Sequence, residues 1–168
     1  MKGGKGMEIT FSTDDLINDI LAKYSNMVYR LALSRTKNIS DAEDILQEVF
    51  LRFINNRIEF ENEEHRKAWL IRVTVNCSNK LLKSAWFRRT VPLEEELKFE
   101  SKEKSDIYYA VLELPLKYRT VIHLFYYEDL SIAQISRILA VKESTIKSQL
   151  SRARQLLKVK LKGEFDDE

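Results

Sequence analysis

Three rows of side chains at helical spacing hold the recognition chemistry available to this chain. Asp44, Gln47, Glu48 and Leu51 fall at i, i+3, i+4 and i+7, which sets acid, amide, acid and an aliphatic group along one exposed line. Arg72, Asn76, Lys80 and Lys83 make a second line, and Thr145, Lys147, Ser148, Ser151, Arg152, Arg154 and Lys158 populate the polar face of a third helix. The last two rows are rich in donors suited to phosphate oxygens and base edges, and both are poor metal ligands. Covalent chemistry has no comparable set. His65 and His123 are far apart in sequence, no Cys/His ligand spacing exists, and His123 sits among apolar residues as a core or interface histidine would. Glu94, Glu95 and Glu96 read as a solvated charge run. The expectation is a chain with no catalytic residue, no metal and no cofactor.

The composition agrees with recognition by helices. The 168 residues are 44% apolar and 32% charged, with only four glycines and two prolines. That balance favours soluble helix. No apolar run approaches the roughly 18 residues of a spanning helix, so direct membrane insertion is not expected. One cysteine, Cys77, cannot form an internal disulfide, and a reducing cytoplasm is the expected location. Formal net charge is only +2, but residues 57–89 carry 8 basic and 4 acidic groups, residues 140–162 carry 7 and 1, and the last six carry four acids. Two basic blocks in near-neutral surroundings point to polyanion contact at two places.

The opening Lys2-Gly3-Gly4 corresponds to a purine-rich codon run shortly before Met7, as a translated ribosome-binding site would, so Met7 is the expected native start. The segment lacks the spacing and the preceding strand of a phosphate loop.

The positioning elements follow from periodicity. Apolar residues at Leu16, Ile17, Ile20, Leu21, Tyr24, Met27, Val28 and Leu31 predict a helix over about 14–36. A capping box at Ser40-Asp41-Ala42-Glu43 then opens a second helix with the stripe Ile45, Leu46, Val49, Phe50, Phe53 and Ile54. A third is predicted over 65–87, burying Trp69, Leu70, Val73, Cys77 and Leu81. Half of the residues in 90–105 are charged and show little period, which reads as a linker. Beyond it come two helices parted by Pro115, then helices over 131–139 and 143–161 joined by Ala140-Val141-Lys142, a helix-turn-helix. In the last helix Ile146, Leu150, Ala153 and Leu157 are expected inside. The fold class is all-α: two small helical domains, 7–89 and 106–162, on a flexible linker.

Two stretches, in order, resemble one family. SDAEDILQEVFLRF at 40–53 and WLIRVTVNCSNKLLKSAWFRR at 69–89 are similar to the first domain of the extracytoplasmic-function (ECF) sigma factors of bacterial RNA polymerase. LPLKYRTVIHLFYYEDLSIAQISRILAVKESTIKSQLSRARQLLK at 114–158 is similar to their second. The resemblance implies that Asp44, Gln47, Glu48 and Leu51 dock on the clamp helices of core RNA polymerase. It implies that Arg72, Asn76, Lys80 and Lys83, with the loop before their helix, read and open the minus-ten element of promoter DNA. It assigns the minus-thirty-five element to Thr145, Lys147, Ser148, Ser151, Arg152, Arg154 and Lys158, a surface around Leu116, Val121 and Ile122 to the polymerase flap, and a further partner, an anti-sigma factor, to the whole.

Lys80 stands where many members carry Asp, and Gln149 where many carry Arg, so base preference is open at both. Lys142 supplies no helix cap, a loss of about 1 kcal/mol that predicts a frayed start to the last helix. A flexible sixteen-residue linker spans roughly 20 to 25 Å and at most about 50 Å. Two grips so tethered become selective only on a scaffold. The competing reading, a stand-alone helix-turn-helix regulator, requires tight operator binding without polymerase and leaves the Asp44, Gln47, Glu48 row and the second basic stripe unused.

Overall fold

The structure is a computed structural model that describes residues 13–85 and 102–165. The Met7 start, the residues Trp86, Phe87, Arg88 and Arg89, the glutamates at 94–96, most of the expected linker and the end of the acidic tail lie outside the described residues.

Seven helices carry the described chain: α1 Thr13–Thr36, α2 Ile39–Asn55, α3 Glu63–Ala85, α4 Lys102–Leu112, α5 Leu116–Ile122, α6 Ile132–Leu139 and α7 Glu143–Phe165. The first three form one bundle around Ile20, Tyr24, Val28, Ile45, Val49, Phe50 and Leu70. Its turns differ from expectation in one detail. Lys37 adopts a left-handed φ of 54° and returns its N–H to the Leu33 carbonyl at 2.8 Å, which stops α1. Asn38, not Ser40, then caps α2 by accepting the Asp41 N–H at 2.9 Å. Asparagine outcompetes serine because its extended backbone lies two residues earlier, where the chain has left α1, and Ser40 is already inside the helix. Ile54, expected in the stripe, is 43% exposed at the far end of α2.

The second bundle is α4 to α7. Because α4 begins at Lys102, residues 102–105 are helix where the sequence pattern reads as linker. Pro115 starts α5, and the Arg119 Nη1 donates to the Leu112 and Leu114 carbonyls at 3.0 and 2.8 Å, tying the α4–α5 corner. The chain then makes one wide turn over His123–Tyr127, closed by the Glu128 N–H on the His123 carbonyl at 3.2 Å. His123 is 2% exposed and stacks on Tyr127 at 5.3 Å, the core histidine its surroundings predicted. Ser131 and Gln134 cap α6 reciprocally, and Ala140 ends it at φ 54°, ψ 44°. The Ser136 hydroxyl bonds the Val141 carbonyl at 2.6 Å and the Val141 N–H bonds the Ser136 carbonyl at 3.1 Å, which fixes the sharp turn into α7. Ile146, Leu150 and Ala153 are buried and Leu157 half-buried, as expected, and α7 runs four residues beyond the predicted end.

The two bundles are docked. Leu31 of α1 and Ile71 and Val75 of α3 belong to the same buried cluster as Val121, Leu124, Leu130, Ile135 and Ile138. Thus α3 buries two faces, one on α1 and α2 through Leu70 and Cys77, the other on α5 and α6 through Ile71 and Val75. Removing each such aliphatic side chain from water contributes about 1.5 to 3 kcal/mol, so this apolar seam orders the pair of domains. Val121 and Ile122, expected as an open surface for a partner, are 1% and 2% exposed within it. The correction follows from tertiary context, because an apolar helix stripe shows that something covers it without showing what.

Candidate nucleic-acid interfaces

Asp44, Gln47, Glu48 and Leu51 all lie exposed on the outer face of α2, opposite Ile45 and Val49. Glu48 pairs with Arg52 at 2.7 Å, and Leu51 is 54% exposed, with Ile54, also exposed, three residues on along the same helix. This is an acidic row around an apolar patch, with no structural task in the bundle beyond that one surface ion pair.

At the end of α2 the loop 56–62 turns back under an aromatic group that the sequence pattern leaves as core. Phe53 stacks on Phe60 at 6.0 Å, and Phe60 meets the edges of Trp69 at 5.9 Å and His65 at 5.3 Å. Asn62 caps α3 by accepting the His65 N–H at 2.8 Å. The α3 row, Arg72, Asn76, Lys80 and Lys83, is exposed throughout. Arg72 also lines a cleft of about 890 Å³ between the bundles, together with Lys23, Lys67, Arg137, Glu63 and Glu128. The Tyr24 hydroxyl donates to Glu63 at its edge; burial and that carboxylate push the phenol up to about 12, so it is a neutral donor at any ordinary pH.

The α7 face divides in two. Thr145, Lys147, Ser148, Ser151 and Arg152 line a groove of about 680 Å³ with Lys117 and Tyr118 of α5 on its far wall. Arg154 and Lys158 are exposed but outside it. Arg154 is drawn to the other flank, where its Nε donates to the Tyr126 hydroxyl at 2.7 Å and its guanidinium lies 5.7 Å from the Phe125 ring centre and 5.6 Å from that of Tyr126. Helical spacing found the α7 residues. It missed Lys117 and Tyr118, which reach the groove from another helix, and no local pattern marks them.

Among the described residues no three His, Cys, Asp or Glu groups lie close enough to hold a metal. Among the same residues no helix is long and apolar enough to cross a membrane.

Comparison with known proteins adds an independent line. Residues 20–88 match the family model for Sigma-70 region 2, and residues 104–157 match that for Sigma-70, region 4. The chain is 31% identical to RNA polymerase sigma factor SigV of Bacillus subtilis over 159 residues, covering 91% of this chain and 95% of that one. It is 30% identical to the ECF RNA polymerase sigma factor SigW of the same organism, with 88% and 90% covered. Among solved structures it resembles the sigma factor RpoE in complex with the anti-sigma factor NepR from Bartonella quintana, at TM-score 0.74 and 23% identity over 86% of this chain and 96% of that one. It also resembles CnrH in complex with the cytosolic domain of CnrY, at TM-score 0.68 and 20% identity over 90% and 91% of the two chains.

Proposed function

The chain belongs to the extracytoplasmic-function sigma factors of bacterial RNA polymerase, and from that premise we propose how its surfaces divide the work of promoter-specific initiation in the cytoplasm. The α2 row of Asp44, Gln47, Glu48 and Leu51 docks on the clamp helices of core polymerase. The α3 row, with the loop 56–62 and its aromatic group, takes the separated strand of the minus-ten element, where stacking and phosphate contact matter more than duplex readout. The α7 groove enters the major groove at the minus-thirty-five element, with Lys117 and Tyr118 on the opposing wall. The observation that carries this reading is the exposure of three chemically distinct rows, one acidic and two cationic, on three helices that need none of them for packing. A stand-alone repressor has work for only one.

An anti-sigma factor is the proposed regulator, since the solved structure that this chain resembles at TM-score 0.74 holds its sigma factor in complex with one. Run-off transcription with purified core enzyme tests the central reading. Addition of this chain is expected to start transcripts from stress-responsive promoters of its own genome, and absence of stimulation at every promoter tried would defeat it.

A smaller effect tests α7. Arg154→Ala is expected to weaken duplex binding and to reduce by about 1 the slope of log affinity against log salt, as loss of one phosphate contact does. An unchanged slope would show that the guanidinium serves only its two aromatic neighbours.

A further inference from the structure

At the centre of the seam between the bundles sit two arginines that meet no carboxylate among the described residues. Arg35, at the end of α1, is 4% exposed; Arg119, on α5, is 6% exposed. Arg35 donates to the Ser78 hydroxyl and the Asn79 amide oxygen on α3, and across the seam to the Thr120 hydroxyl. Arg119 donates across the seam to the Arg35 carbonyl at 3.0 Å and to two carbonyls of its own bundle, while its Nε has no partner. Among the described residues neither guanidinium forms an ion pair with a carboxylate. Every acceptor among the described residues is a neutral oxygen, and Arg119, whose Nη2 lies 3.0 Å from the Arg35 carbonyl, brings a second positive charge to the same seam.

Such a seam is apolar enough to close and costly enough to open. Taking a guanidinium out of water without a counter-charge is strongly unfavourable, and a like-charged neighbour adds to the cost. Burial, and for Arg35 the charge of Arg119 after it, pushes both guanidiniums down to about 10, so both remain charged near neutral pH. Separation of the domains rehydrates Arg35 and relieves that repulsion.

We propose that the docked arrangement is a closed form of the free chain that cannot serve a promoter, and that Arg35, buried against Arg119, is the device that keeps it ready to open. This rests on the sigma factor reading. A compact body of this length is about 40 Å across. Elements at minus ten and minus thirty-five are about 25 base pairs apart, roughly 85 Å of duplex at 3.4 Å per step. The closed chain cannot touch both. The exposed α2 row remains free for a first grip on the enzyme, after which the seam must part.

Two substitutions separate this device from an ordinary stabilising contact, because they should act in opposite directions. Arg35→Met keeps the bulk and removes the charge; the Ser78 hydroxyl still bonds the Val75 carbonyl, the Thr120 hydroxyl still bonds the Leu116 carbonyl, and Asn79 is exposed to water. The closed form should tighten. Thr120→Val keeps the shape and removes the one side-chain acceptor that, among the described residues, the second bundle offers Arg35, so the closed form should loosen.

Spin labels on Asn55→Cys of α2 and Val159→Cys of α7, both exposed positions, report the distance between bundles, with buried Cys77 left in place. The unsubstituted free chain should give a predominant short distance beside a minor long one, and core polymerase should shift the population to the long distance. Arg35→Met should enlarge the short-distance population and raise the core polymerase needed for half-maximal run-off transcription about tenfold. Thr120→Val should enlarge the long-distance population of the free chain. The proposal is overturned if Arg35→Met opens the chain, if both variants move the same way, or if neither moves it. Failure of core polymerase to bind any variant would instead strike the functional reading, while the distances in the free variants would still judge the seam.

Discussion

Replacing Asp44, Gln47 and Glu48 together with alanine should lower affinity for core polymerase by at least about a hundredfold and leave the helical content unchanged. The two halves of that expectation have separate grounds. On the fold side, all three are exposed, the start of α2 is held by Asn38 and Asp41, and the interaction lost among the described residues is the exposed Glu48–Arg52 pair. An i,i+4 surface pair is worth about 0.3 to 0.5 kcal/mol, and alanine is the better helix former, so these nearly cancel. On the binding side, an acid–amide–acid row flanked by the exposed Leu51 and Ile54 suits a basic partner surface, and truncating one member of a charge pair desolvated at an interface costs about 2 to 5 kcal/mol, enough alone for the hundredfold loss. Fluorescence anisotropy of labelled chain titrated with core enzyme, beside a circular dichroism spectrum, reads both. Retained affinity would show that α2 is not the docking element; lost helicity would void the measurement's meaning and require the single substitutions, of which Gln47→Ala touches no partner in the bundle.

Arg119→Met should destabilise the chain by about 2 to 4 kcal/mol, measured by urea unfolding, in contrast to the closing effect expected at Arg35. The difference lies in the acceptors. Arg119 serves three backbone carbonyls, those of Leu112, Leu114 and Arg35, at helix ends where the helix itself supplies no donor. Backbone oxygens cannot rotate towards another partner, and in the variant they stay buried beside Leu112 and Leu114, which are 5% and 1% exposed. Hydroxyl groups around Arg35 can turn, and they keep their other bonds. Arg119→Lys, which preserves the charge but not the planar fork, should recover less than half of the loss. A methionine variant as stable as the parent would mean that the α4–α5 corner is held by the Val111 and Leu114 packing alone.

Much of the candidate site was legible before any coordinates. The α2, α3 and α7 rows are visible because helical side chains recur every 3.6 residues, and a polar residue on the face opposite a buried stripe has nowhere to go but solvent. The turn residues were legible less well: Asn38 and Ser40 are both good caps, and only the path of the chain leaving α1 chooses between them. Lys117 and Tyr118 had no signal at all, since a groove wall supplied by a second helix is a long-range property.

The sequence by itself determined which helices form, which face of each is apolar and where three rows of exposed polar side chains stand, because those follow from interactions within a few residues. Only the tertiary structure decided what covers each apolar face. Ile71, Val75, Val121 and Ile122 meet across the seam instead of facing a partner, and Arg35 and Arg119, which in a string of letters look like any solvated arginine, end up side by side inside it. Burial of a side chain is set by neighbours distant along the chain, and no local period encodes them.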